Sequence, residues 1–145
     1  MPHRFTLAAV LKLRESIEER DLHLLEQTQV EIARATRLLK AIRNRKLLEV
    51  SMRECELAQG TSGAHLHIIE GVKGRTLEVQ QSLEKLLAAL QHRREQQLAD
   101  YVSSKRKRET LSELRDRQNE AHELRVARER QRVIDDLFLA RQRQK

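Results

Sequence analysis

The sequence predicts an all-α protein, a long two-helix antiparallel coiled-coil hairpin, and three observations lead to that fold class. Charged residues make up 35% of the 145 and aromatics only 2%, so a wide globular core cannot be filled, whereas a narrow apolar seam between helices can. Ala, Leu, Glu, Lys, Arg and Gln, all good helix formers, dominate, while the single proline is Pro2 and the four glycines fall between Gly60 and Gly74. Lastly, Leu25, Ile32 and Leu39 recur every seven residues, as do Thr28, Ala35 and Ile42, the two interleaved series of a coiled-coil seam.

The chain reads as one coiled-coil domain over 1–145. Arm one covers about 5–58 and opens with Leu7, Val10, Leu11 and Ile17 ahead of the sevenfold series. Arg20 and Asp21 intrude on the seam, and after Ile42 the apolar positions shift to Leu47 and Val50, the kind of phase change that locally unwinds a supercoil. The turn is expected over about 59–66, where Gly60-Thr61-Ser62-Gly63 joins left-handed permissiveness to hydroxyls able to cap a following helix. Gly71 and Gly74 would lengthen that loop or weaken the first turns of the next helix. Arm two covers about 67–142. Its strongest stripe runs from Ile68, Ile69 and Val72 through Leu77, Val79 and Leu83 to Leu90, and thins beyond Leu98 before Ile134, Leu137 and Phe138. Arms of this length would be rods of roughly 75 to 100 Å. With so much leucine they should pair, since long lone helices are not stabilised by propensity alone.

A net charge of +7 favours acidic partners by steering, but the excess is diluted: 11 Lys and Arg face 9 Asp and Glu up to Gln59, and 18 face 13 beyond. Lys105-Arg106-Lys107-Arg108 spreads around a whole helix circumference with no aromatics to stack bases, so no nucleic-acid partner is expected. His65 and His67 lack a second ligand pair and Cys55 is the sole cysteine, so neither metal nor cofactor is expected. No P-loop follows Gly71 and Gly74, and neighbouring carboxylates such as Asp135 and Asp136 point to different helix faces. Neither enzymatic activity nor a small-molecule substrate is expected. No run approaches the roughly 18 apolar residues of a membrane span, and a cytoplasmic location is the expectation.

The opening Phe5-Thr6-Leu7-Ala8-Ala9-Val10-Leu11-Lys12-Leu13-Arg14, with Ile17-Glu18-Glu19-Arg20 behind it, resembles the start of the FliJ family of flagellar export proteins, which share a Phe-x-Leu-x-x-Val-Leu-x-x-Arg pattern. The likeness extends to chain length, a central glycine-containing turn, Thr76-Leu77-Glu78 and an Arg/Gln-rich end around Asp135-Asp136-Leu137-Phe138. It implies a two-helix coiled coil similar to the shaft of rotary ATP synthases, with both termini at the end that engages the pore of a hexameric export ATPase. It also implies contact with a membrane export gate, which would hold the protein peripherally at the inner membrane, and escort of export chaperones.

Carried onto this chain, the resemblance places an ATPase-facing tip at Phe5, Leu7, Leu11, Arg14, Arg128, Arg132, Leu137, Phe138 and Arg141. There the first four are expected to pair with Leu137, Phe138 and the arginines. Gate-facing residues fall on Ile42, Val72, Leu77 and Val79; the family's tyrosines on that face are absent, with Arg45 and Glu49 near their places. The equivalent stalk of a virulence type III secretion system shares these features, and an unrelated coiled-coil scaffold is the remaining alternative.

Overall fold

The computed structural model describes residues 4–144 and is an all-α helical hairpin: α1 (Ala8–Gln59) and α2 (Gly63–Arg143) are the only elements of regular structure among them. The described chain divides into two compact units. One is built from the segments up to Arg20 and from Tyr101 onward, the other from Asp21–Asp100.

In the Asp21–Asp100 unit the helices are joined by only three residues. Gly60 adopts φ 81° and donates its N–H to the Leu57 carbonyl at 3.4 Å, closing α1 in the left-handed conformation that glycine adopts without a Cβ penalty. Ser62 starts α2. Its hydroxyl accepts the His65 N–H at 3.3 Å and its carbonyl accepts the Leu66 N–H at 3.2 Å, satisfying donors that a helix start leaves orphaned. This cap is why helix begins at Gly63 rather than near residue 67. Gly71 and Gly74 are correspondingly helical, and a Cβ at either would meet nothing within 4 Å.

The seam of this unit departs from the expected phase shift. On α1 the buried and half-buried positions run Asp21, Leu25, Thr28, Ile32, Ala35, Leu39 and Ile42, then Lys46, Glu49, Arg53 and Glu56, keeping steps of three and four throughout. Leu47 and Val50, expected to carry the seam onward, are exposed, Leu47 at 71%. The polar residues hold the heptad because each has an apolar stem to bury and a partner for its head, across the helix pair for Lys46, Arg53 and Glu56 and one turn back on α1, at Arg45, for Glu49. Lys46 Nζ donates to Gln80 Oε1, Arg53 Nη1 lies 2.7 Å from Glu70, and Glu56 meets His65 Nε2 at 3.2 Å. Facing them on α2 are Leu66, Ile69, Thr76, Gln80, Leu83, Leu87 and Leu90. The deepest side chain is Thr28, 2% exposed, whose hydroxyl bonds back to the Leu24 carbonyl at 3.1 Å; this satisfies a polar group that the seam would otherwise strand.

In the other unit Leu11 and Ser104 are buried, with Arg14, Ile17, Glu18, Arg108, Leu111 and Arg115 half-buried around them. Pairing here is short. From Ala127 to Gln144 every residue is exposed.

Candidate protein-binding surfaces

Because Lys46, Glu49, Arg53 and Glu56 hold the seam, the apolar residues between them turn outward. Two clefts flank the helix pair near the turn. One, of about 180 Å³, is lined by Met52, Ile68, Ile69 and Val72 together with Glu49, Arg53 and Glu56. The other, of about 110 Å³, has Val50 and Lys73 beside Lys46, Glu49, Arg53 and Ile69. Met52 and Val72 thereby fix the membership of one flank, and heptad spacing extends it: Leu38 lies fourteen residues before Met52, and Val79 and Leu86 lie seven and fourteen beyond Val72.

Along α1 this flank reads Leu38, Ala41, Arg45, Leu48, Met52 and Cys55; along α2 it reads Ile68, Val72, Arg75, Val79, Ser82 and Leu86. All twelve are exposed, and the steps of three and four are those of a second seam. A helix that is apolar on its seam and on one adjoining flank is built to be covered by a further helix. The interruptions are cationic: Arg45, paired with its neighbour Glu49 at 3.2 Å, and Arg75. Thus the stripe combines apolar area with positive charge, a surface for an amphipathic helix edged with carboxylates.

The resemblance-based gate-facing set is divided by this geometry. Val72 and Val79 stand on the flank just described. Leu77 is exposed but lies five residues from Val72, about 140° around the helix, and so belongs to the opposite flank. Ile42 is half-buried within the seam. The surface residues missed from sequence are Leu38, Met52, Ile68 and Leu86. Leu38 and Met52 stand fourteen residues apart and Leu86 fourteen beyond Val72, a sevenfold signal that the phase shift expected after Ile42 obscures, while Ile68 reads from the sequence as part of the arm-two stripe.

In the unit carrying the chain's two ends, Glu18 and Arg108 form the strongest cross-helix contact. Arg108 Nε donates to Glu18 Oε2 at 2.6 Å and Nη2 donates to Oε1 at 3.2 Å, a two-pronged match of guanidinium to carboxylate. The Arg108 hydrogen bond holds the Glu18 carboxyl below the usual carboxylate range, against the opposing effect of partial burial; the same bond raises Arg108. In the sequence Arg108 is one of four consecutive cations spread around the helix circumference. It is instead turned into the helix pair, because the antiparallel register sets it opposite Glu18.

The expected tip pairing is also corrected. Phe5 and Leu11 line an open cleft with Ala8, Ala9, Lys12 and Glu15, and the residue they meet from α2 is Arg115. Leu11 is 5% exposed, Phe5 and Arg14 are half-buried and Leu7 is exposed. Leu137 and Phe138 lie 22 and 23 residues past Arg115, roughly 33 Å along the helix, and are exposed, Phe138 at 61%. Arg128, Arg132 and Arg141 are exposed as well. The cause is helix length: α1 has 52 residues and α2 has 81, so pairing outward from the turn exhausts α1 first.

No family model, curated protein or solved structure matches this chain. Among the described residues no three His, Cys, Asp or Glu side chains gather as metal ligands, and no helix is long and apolar enough to cross a membrane.

Proposed function

We propose that this chain is the soluble stalk of a flagellar type III protein export apparatus, binding and stimulating a hexameric export ATPase, contacting the export gate, and escorting export chaperones. The observation that carries the proposal is the surplus of apolar surface over what the hairpin uses. The seam consumes one face of each helix, yet Leu38, Met52, Ile68, Val72, Val79 and Leu86 remain exposed in one unit, and Val133, Ile134, Leu137 and Phe138 in the other. Contiguous exposed apolar side chains mark protein-binding sites. Two such surfaces on a helical hairpin suit a component that joins partners, and the N-terminal FliJ-like pattern says which partners to test.

In this reading Val72 and Val79, with Met52 and Ile68, face the gate, and the α2 segment past Val126 faces the ATPase. Stimulation is a coupling free energy: the stalk binds one arrangement of the ring's subunits better than another and shifts the ring toward it. ATP turnover by purified export ATPase, with and without this protein, tests the proposal. Turnover is expected to rise severalfold; unchanged turnover at saturating protein sinks the stalk role.

A further inference from the structure

Residues 127–144 are exposed on every side, yet the α2 sequence there is strongly one-sided. Taking three and four residues in each direction as nearest neighbours on a helix face, Arg130 is framed by Val126, Ala127, Val133 and Ile134. Arg141 follows Leu137 and Phe138 in the same way. Neither arginine has a carboxylate three or four residues away, and Glu129, next to Arg130 in the chain, lies about 100° around the helix from it. On the opposite face the pattern reverses: Arg125 has Glu129 four residues on, and Arg132 has Glu129, Asp135 and Asp136 within three or four. Arg128 and Arg132, two residues either side of Arg130, point about 160° away from it. The positive charge that this segment does not neutralise itself therefore includes two arginines set inside its apolar face.

This face was not made for α1. The heptad that packs Leu111, Arg115 and Gln118 toward α1 continues through His122 and Arg125 to Glu129, Arg132 and Asp136, all polar. The apolar residues lie on the other side of the helix.

We propose that this face docks, as a helix into a groove, on a partner protein whose apolar groove carries two carboxylates about 16 Å apart, the rise between Arg130 and Arg141. Ile134, Leu137 and Phe138 fill the groove, and the two guanidinium groups take the carboxylates. Arginine amid apolar neighbours is the arrangement of an interface anchor, where surrounding side chains exclude water and strengthen the ion pair. A second copy of this chain does not fit. Antiparallel self-pairing about Ile134 would set Arg130 against Phe138 and Arg141 against Ala127, burying four unpaired cations. A lipid surface fits poorly, because Arg130 sits on the midline that would enter deepest rather than on its border.

The inference rests on the stalk reading for its probe, the purified hexameric export ATPase. Affinity of the full-length chain is measured at low and physiological salt for wild type, Arg130→Glu with Arg141→Glu, Ile134→Asp, and Arg125→Glu as the opposite-face control. Circular dichroism checks that helix content is kept, as exposure of the whole segment leads one to expect. The double arginine variant and Ile134→Asp should each lose about tenfold to a hundredfold in affinity, the arginine loss growing smaller with salt, while Arg125→Glu stays within about twofold. Equal affinity for all four chains overturns the groove and leaves the stalk reading standing. Failure of the wild type to bind the ATPase overturns both. Binding to phosphatidylglycerol vesicles that Ile134→Asp abolishes, with ATPase affinity unaffected, replaces the groove with a membrane surface.

Discussion

At the scale of single residues, the contact between Glu18 and Arg108 shows what spacing alone hides. Lys105 to Arg108 reads as a solvated basic cluster because four consecutive residues face four directions. Only the register of the antiparallel pair reveals that one of those directions holds a carboxylate ninety residues earlier. The consequence is a specific pH dependence. Because Arg108 lowers the Glu18 value in the folded chain, the pair's stabilisation is fully present above the ordinary glutamate value, about 4.3. It is lost as pH falls through the lower native value. Glu18→Gln should therefore unfold at lower denaturant than wild type at pH 7, and the gap should narrow as pH falls below the ordinary glutamate value and through the lowered native one. A gap that persists unchanged in acid would show that Glu18 stabilises by packing rather than by charge.

Within the helices, the legible and illegible parts divide at Ile42. Before it, Leu25, Ile32 and Leu39 and the interleaved Thr28, Ala35 and Ile42 are apolar or small, so hydrophobic spacing and packing agree. After it the same heptad is kept by Lys46, Glu49, Arg53 and Glu56. Hydrophobicity scales count these as surface residues, although their stems pack and the heads of Lys46, Arg53 and Glu56 pair across the helices. A reading that follows apolar character is then drawn to Leu47 and Val50 and loses the outward stripe. The turn is different: Gly60 and Ser62 act locally, through one positive φ and one cap, so its place was readable to within a few residues. The seam assignment yields a contrast between two leucines eight positions apart. Leu39→Ala, at a site 4% exposed, should cost about 2 to 4 kcal/mol, while Leu47→Ala should change stability by no more than about 0.5 kcal/mol. Equilibrium chemical denaturation measures both, and a larger loss at Leu47 would restore the shifted seam.

For the whole chain, the decisive quantity is the mismatch between 52 residues of α1 and 81 of α2. Arms counted outward from Gly60 make it visible in the sequence, but the expectation that both termini meet at one tip drew Leu137 and Phe138 into a pairing that α1 is too short to make. The mismatch separates folding from binding within one helix. Residues before about His122 have α1 to pack against, so their helix is held by burial. Those from Ala127 onward add no burial to the hairpin and extend a helix already nucleated, which costs little. A truncation after Val126 should accordingly leave the thermal unfolding midpoint within about 2 °C of the full chain, since no buried contact is removed. The same truncation should abolish stimulation of the export ATPase, because the exposed apolar and arginine face goes with the deleted segment. Calorimetry and ATP turnover on one preparation measure the two halves together. A truncated chain that still stimulates would move the ATPase contact to the cleft that Phe5 and Leu11 form near Arg115; a large fall in midpoint would mean that the terminal segment packs after all.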